Sequence, residues 1–305
     1  MKEIEPECAA AEGAPATVAV IVVAYNSGSV IRRCLDALAI QTRRPDAVLV
    51  IDNNSPDSEY LAEIRESDGL RIIRNNINEG FCGANNRGYR MAGDHTYVVF
   101  LNPDAFLHRD FIKRAVDWME RPENAQVGIL TGTLLGFDIG CERHTGAIDS
   151  TGVFQTWYGK WYDRSQGEAW VETGASADAE DVPAISGALM FCRSRAIESI
   201  RAPNGDIFDR RFFMYKEDID LSLRVRKRGW RLVYRPTLIC DHCRGWRGRQ
   251  HMSTRARYMS ARNELRLCFA NNGRGMVYSS LKYLFVPLED IFIKLLRLFN
   301  HRPTE

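Results

Sequence analysis

Four short apolar runs, each followed by polar residues, constrain this chain more than any other feature. They are Thr17–Ala24, Ala47–Ile51, Leu70–Ile73 and Tyr97–Leu101. The first is compact and rich in β-branched residues, and all four read as buried strands. Between them lie helical patterns at Val30–Ile40, Ser58–Glu66 and Ala84–Ala92, with Gly80–Gly83 as a turn. Strands alternating with helices predict a parallel sheet covered on both faces. In such sheets ligands bind beyond the carboxyl ends of the strands, so polar residues just past a strand gain weight.

The second half is less regular. Residues 138–182 are rich in Gly, Trp, Tyr and charge with weak periodicity, and read as a variable loop region over the site. Order returns at Val182–Cys192, with a helix near Ser194–Ile200 and a short aromatic run at Phe212–Tyr215. Glu217–Lys227 reads as a helix closed by Gly229, Arg231–Tyr234 as a strand, and Thr254–Ala270 as a basic helix. No internal repeat is present.

The segment Met276–Phe299 is amphipathic. Leu281, Leu284, Phe285, Leu288, Ile291, Phe292, Leu295 and Phe299 share one helical face, and Pro287 is expected to kink or split the helix. It reads equally as a helix in a membrane interface or as one packed on the domain or on a second copy in a homo-oligomer. The arginine-rich stretch Arg244–Arg274 lends weight to the membrane surface.

The 305 residues suffice for one large α/β domain with an appendage. A net charge of +2 argues against nucleic acid as the main partner. The eight cysteines lack a framework spacing, and residues 1–16 read as an acidic, disordered leader without an apolar signal segment. Together these point to a reducing, cytoplasmic compartment. No uninterrupted apolar stretch is long enough to span a membrane.

Acidic or histidine residues at four places along the chain could carry chemistry. Asp104 ends the turn Leu101-Asn102-Pro103-Asp104, either as a divalent-metal ligand bridging a diphosphate or as a turn residue bonding locally. Asp52 also ends a strand and reads equally as a contact to a nucleobase or ribose and as an Asx-turn. Glu217, Asp218 and Asp220 open a helix that ends in Arg224, Arg226, Lys227 and Arg228. That gradient complements the helix dipole. One of the acids could equally serve as general base beside an acceptor hydroxyl, walled by Phe212-Phe213-Met214-Tyr215. His242 lies in Cys240-Asp241-His242-Cys243, and the lack of a second Cys-x-x-Cys argues against zinc. It is either structural or joins Asp104 on a hard cation such as Mn2+. Phosphate loops of the G-x-x-x-x-G-K type, an early G-x-G-x-x-G and a G-x-S-x-G elbow are all absent from the sequence.

Taken in order, these pieces resemble the family 2 glycosyltransferases. Val20-Ile21-Val22-Val23-Ala24-Tyr25-Asn26-Ser27 and Ile51-Asp52-Asn53-Asn54-Ser55 are similar to the family's opening. Asn78-Glu79-Gly80-Phe81-Cys82-Gly83-Ala84-Asn85-Asn86-Arg87-Gly88 and Phe100-Leu101-Asn102-Pro103-Asp104 resemble its rhamnosyltransferase-like branch, which includes relatives of galactofuranosyltransferases. Ser186-Gly187-Ala188-Leu189-Met190, Phe212–Leu221, Gly229-Trp230, Pro236 and His242 continue the likeness, which covers about residues 17–270.

The resemblance implies an α/β GT-A (Rossmann-like) fold, with a mostly parallel central sheet flanked by helices and a C-terminal helical extension. It places a catalytic domain at 17–250, with a nucleotide-binding half at 17–104 and an acceptor half at 105–250, and the extension at 251–305. Asp218 takes the place of the general base, with Glu217 beside it. Ala24, Tyr25, Asn26, Asp52, Asn78, Gly80, Asn85, Asn102 and Asp104 take donor-binding places. Asp104 and His242 would hold Mn2+ or Mg2+, with Asn102 standing where many relatives have an acid. The implied reaction is inverting transfer of a sugar, rhamnose for preference, from a dTDP- or UDP-sugar to a glycan or lipid-linked acceptor, in the cytoplasm or on the cytoplasmic face of the membrane. Galactofuranose or a hexose is the alternative sugar, and a non-catalytic nucleotide-sugar-binding protein the alternative class. Asp206–Arg211 lacks the family's usual glycine pair before Phe208, and the Q-x-x-R-W element of processive synthases is missing. The role of Arg262-Asn263, which resembles a late family pair, stays open.

Overall fold

The computed structural model describes residues 15–172, 178–244, 252–271 and 273–300. The expected leader at 1–16, apart from residues 15 and 16, lies outside them, as do residues 245–251 and 272 of the arginine-rich stretch. The first half runs β1 (Val18–Ala24), α1 (Ile31–Ala39), β2 (Ala47–Asp52), β3 (Leu70–Arg74), α2 (Gly80–Ala92), β4 (Tyr97–Leu101), β5 (Ala105–Leu107) and α3 (Phe111–Met119). Then come β6 (Val127–Asp138), β7 (Arg143–Ser150), β8 (Val153–Gln155), β9 (Trp161–Asp163), β10 (Glu180–Asp181), β11 (Leu189–Arg193) and α4 (Ser194–Glu198). The chain continues through α5 (Glu217–Lys227), β12 (Arg231–His242), α6 (Thr254–Ala270) and α7 (Met276–Asn300).

The central sheet has the order β10-β12-β6-β11-β4-β1-β2-β3, with β5 on β12 and β7 on β6. The pairs β4–β1, β1–β2, β2–β3 and β6–β12 are parallel, and β11 runs antiparallel between β4 and β6. β1 lies between parallel neighbours, with Val20 paired to Val48 on one side and Val99 on the other. Its side chains alternate between two cores, as period-two geometry requires. Val18, Val20, Val22 and Ala24 pack toward α1 and α3, whereas Ala19 and Ile21 pack toward α2 and α5. A strand buried on both faces must be apolar throughout, which is why β1, β2 and β4 read as continuous runs.

Several boundaries differ from expectation. α2 starts at Gly80 rather than after a turn at Gly83, because Gly80 itself takes φ +71° and its N–H is held by Asn78 Oδ1 at 2.9 Å. The helix expected at Ser58–Glu66 is a 3-10 segment at Glu59–Glu63. The described residues of the 138–182 stretch are more ordered than a loop: β7 pairs with β6, and β8 with β9. β7 carries no local strand signal: its sequence, Arg-His-Thr-Gly-Ala-Ile-Asp-Ser, is exposed over its first half and shows no apolar alternation. β12 runs past Pro236 to His242, with a register shift between Tyr234 and Ile239 that absorbs the missing N–H. α7 is continuous across Pro287. Its exposed side carries Val277, Leu281, Leu284, Phe285, Leu288 and Ile291, while Ser279 and Val286 face inward. The side chains of Phe292, Leu295 and Phe299 lie outside the described residues. No helix among the described residues is long and apolar enough to cross a membrane.

The β12 irregularity leaves a close approach at Gly132 on β6, where an added Cβ would sit 2.1 Å from the Leu238 carbonyl oxygen. A backbone atom between paired strands cannot swing aside. Gly132→Ala is therefore expected to destabilise the fold by about 1–3 kcal/mol, read as a lower urea midpoint; an unchanged midpoint would count against this packing.

Candidate functional site

The carboxyl ends of β1, β2 and β3 are laced together beyond the sheet. Asn53 N–H donates to the Ala24 carbonyl and Asn75 N–H to that of Asp52, both at 2.8 Å. The buried Asn53 amide donates to Asn78 Oδ1 (2.9 Å) and the Gly80 carbonyl (3.1 Å). Its own oxygen accepts from Asn75 Nδ2 and Glu79 N–H, each at 3.0 Å. Asp52 is also buried, and its Oδ1 accepts from the Ser55 hydroxyl at 2.6 Å, the Asx-type arrangement. Ser55 Oγ in turn accepts from Asn26 N–H at 2.9 Å, and Asn26 has φ +51°. Tyr25 and Asn26 are exposed at this rim, and Ala24 is buried below them. Asn85 is not part of the cluster: it is buried in α2, its amide turned back onto the Phe81 carbonyl at 3.0 Å.

A second group forms where β5 pairs antiparallel with β12, placing His242 opposite Ala105. Asp104 therefore meets His242, with Oδ1 3.4 Å from Nε2. The other ring nitrogen, Nδ1, lies 2.7 Å from Asp149 Oδ2 on β7. Arg244 holds Asp149 at 2.6 Å and Asp163 at 2.9 Å. Burial pulls the His242 pKa down, but Asp104 and Asp149 on either side outweigh it and carry it up to about 9. Burial pushes the Asp149 carboxyl up, but His242 and Arg244 prevail and hold it below the usual carboxylate range. Asn102 N–H donates to the Ala188 carbonyl at 3.0 Å, fixing the turn that leads to Asp104.

The third group sits at the start of α5. Asp218 is half-buried, its Oδ2 accepting from Gly187 N–H at 2.9 Å and its Oδ1 from Ile219 N–H at 2.8 Å. Glu217 is buried, and its Oε2 has no hydrogen-bond partner. Burial is the main cause that raises both carboxyls, and for Glu217 the neighbouring Asp218 charge adds to it. Gly187 precedes Ala188, so one short segment holds Asp218 by its N–H and the Asn102–Asp104 turn by the next carbonyl.

The approach to α5 is strained. Phe213 (φ +60°, ψ −61°) forms the rare γ-turn, with Met214 N–H on the Phe212 carbonyl at 2.7 Å. Tyr215 and Lys216 follow at φ +72° and +73°. Such conformations cost about 1–3 kcal/mol each in non-glycine residues. Asn263 of α6 offsets this: its fully buried Nδ2 meets the carbonyls of Phe212 (2.7 Å), Met214 (2.9 Å) and Tyr215 (2.9 Å). Arg266 donates to Asn263 Oδ1 at 3.2 Å, which orients the amide. Gly80 closes the turn from the other side, where an added Cβ would lie 2.5 Å from the Phe213 ring.

Asn53, Asp149 and Asn263 carried no role in the sequence reading. Asn53 could have been found, since it follows a strand beside Asp52. Asp149 had no local signal, because β7 does not look like a strand. Asn263 acts on a segment about fifty residues away in sequence, a separation no local pattern reveals.

Comparison with known proteins follows the same lines. A family model described as glycosyl transferase family 2 matches residues 19–167, and one described as glycosyl transferase family group 2 matches residues 97–287. The N-acetylglucosaminyl-diphospho-decaprenol L-rhamnosyltransferase of Mycobacterium tuberculosis is 28% identical over 229 residues, 72% of this chain and 73% of that protein. The amylovoran biosynthesis glycosyltransferase AmsB of Erwinia amylovora is 34% identical over 110 residues, 34% of this chain and 36% of that one. Among solved structures, GalNAc-T7 with UDP, GalNAc and Mn2+ superposes with a TM-score of 0.64 at 17% identity, covering 83% of this chain. This chain spans 47% of that one, about half its length. The mannosyltransferase PcManGT of Pyrobaculum calidifontis with GDP-Man and Mn2+ gives a TM-score of 0.57 at 17% identity, covering 93% of this chain and 77% of that one. The likeness to these structures identifies the fold as GT-A, and with the group 2 model spanning more than half of its length, the chain belongs to the family 2 glycosyltransferases.

Proposed function

We propose that this glycosyltransferase is an inverting enzyme that transfers rhamnose from a dTDP- or UDP-linked donor to a hydroxyl of a lipid-linked glycan acceptor at the cytoplasmic face of the membrane. The observation that carries the reading is the 187–188 segment, which ties Asp218 on one side and the Asp104 turn on the other. A base and a leaving-group site must flank one reacting carbon, and a shared rigid backbone fixes their separation. The choice of rhamnose and of a lipid-linked acceptor leans on the likeness to the mycobacterial rhamnosyltransferase.

In this reading the donor nucleotide lies over Ala24, Tyr25, Asn26 and Asp52, with Asn78, Gly80 and Asn102 lining its path toward Asp104. Asn85 takes part through the packing of α2. Asp218 removes the proton of the acceptor hydroxyl as that oxygen attacks the anomeric carbon opposite the departing nucleoside diphosphate. Configuration at that carbon inverts. Glu217, buried beside it, keeps the local carboxyl pair reluctant to ionise fully.

Asp104 and His242 fit a divalent cation. With the Nε2 proton given up they would offer one carboxylate oxygen and one imidazole nitrogen 3.4 Å apart, with Asp149 orienting the imidazole from behind. Among the described residues no three His, Cys, Asp or Glu side chains form a metal-binding group. When bound, Mn2+ or Mg2+ would neutralise charge developing on the leaving diphosphate.

Three outcomes test the reading. Asp218→Asn should lower kcat by about 10²–10⁴-fold while donor binding by calorimetry stays intact; turnover close to the parent's would remove Asp218 from the role of base. Because burial raises its carboxyl, kcat should fall as pH drops through a midpoint above the ordinary aspartate value of about 3.9, and a profile flat down to that value would contradict it. Chelation by EDTA should abolish transfer and added Mn2+ or Mg2+ should restore it, whereas full activity in EDTA would exclude the Asp104–His242 cation.

A further inference from the structure

A cleft of about 520 Å³ opens beside the strained turn, lined by Phe213, Arg255, Tyr258, Met259, Arg262 and Tyr283. Residues 255, 258, 259 and 262 recur at helical spacing, so one face of α6 forms the wall. Tyr283 of α7 closes it, its ring edge-on to Tyr258 with centroids 5.9 Å apart. Phe213 forms the end nearest α5, four residues before Glu217.

The charges around this cleft are unevenly used. Lys282 is paired with the buried Glu264, and Arg257 lies 4.0 Å from Glu289. The seam between α6 and α7 therefore spends these acids on its own inner cations. Arg255 and Arg262 are exposed, and neither has an acidic partner among the described residues. The surplus is felt nearby: burial, and after it the charges of Arg262 and Arg211, hold the Arg266 guanidinium below its usual range. Two unpaired guanidinium groups in an aromatic-walled cleft suit phosphate oxygens, which they bind through paired N–H donors. The outward face of α7 next to the cleft is apolar, through Leu281, Leu284 and Leu288.

We propose that this cleft is the subsite for the diphosphate of an amphiphilic acceptor, with Arg255 and Arg262 as its ligands and the lipid chain leaving along the exposed face of α7. The proposal rests on the transferase reading and deepens it by assigning the acceptor's anionic group to a place. The donor's own diphosphate is the competing source of the same chemistry. It belongs with Asp104, beyond β4, whereas the cleft lies on the side of the base. A lipid-linked occupant also accounts for both features at once, the unpaired arginines and the adjoining apolar face, where a free nucleotide accounts only for the first.

The test uses the full chain, with farnesyl diphosphate as probe and UDP as control for the donor side, both titrated calorimetrically. Arg255→Ala/Arg262→Ala should weaken farnesyl diphosphate at least about tenfold and leave UDP affinity unchanged, while farnesol binds much more weakly than its diphosphate to the parent. Arg255→Lys/Arg262→Lys, which keeps charge and loses the forked geometry, should fall between, and it serves if the alanine variant fails to fold. Equal farnesyl diphosphate binding by parent and variants, or none by the parent, overturns the proposal. So does a parallel loss of UDP affinity, which would give the cleft to the donor. Should neither UDP nor dTDP bind the parent while the arginines still govern farnesyl diphosphate, the donor reading falls and the subsite stands.

Discussion

The contact on which the site depends is the Asn263 amide against the turn Phe212–Tyr215. Three non-glycine residues, Phe213, Tyr215 and Lys216, sit at positive φ immediately before α5. Left alone such a segment would relax, and Glu217 and Asp218 would rotate with it. One buried amide on α6 satisfies three of its carbonyls, and Gly80 on α2 leaves room for the Phe213 ring. Strain held this way is a means of fixing side chains that ordinary helix geometry would point elsewhere. The contact ties α6, beyond the last strand of the sheet, to the turn that leads into α5.

The sheet supplies the complementary rigidity. Its parallel strands end together, and the Asn53 and Asn75 contacts extend their pairing by one step beyond the last residues. The antiparallel entry of β11 between β4 and β6 brings residues 187–188 against both the Asp104 turn and Asp218. Around His242 the principle is electrostatic: Asp104 and Asp149 on its two ring nitrogens outweigh the burial that would otherwise discharge it. Buried charges in this pocket are tolerable because each has a partner of opposite sign, down to Arg244 between Asp149 and Asp163.

Residues of the candidate site were legible in the sequence only where they fall at a strand end or a helix start. Asp52 and Asp104 follow apolar runs, and Asp218 opens an amphipathic helix, so all three could be named. Asp149 sits in a strand without apolar alternation, half-exposed and paired only at the margin of the sheet. Asn263 stands out only as half of a family-like pair with Arg262, and nothing local gives it a role. Even Asp52 shows the limit of local reading, since the Asx-turn and the ligand-facing readings start from the same four residues and the structure adds Ser55 and Asn26 to the first.

What the sequence determined by itself was the alternation of buried strands and helices, hence the covered sheet. That information is local, because period and burial are written in consecutive residues. Only the tertiary structure decided the order of strands beyond β4, the extension of β12 through a bulge at Pro236, and the meeting of Asp104 with His242 and Asp149. It alone decided that an asparagine on α6 should brace the turn before α5, some fifty residues away in sequence. Those are long-range choices, set by which surfaces fill each other's space and cancel each other's charge, and no single stretch of chain contains both halves of such a contact.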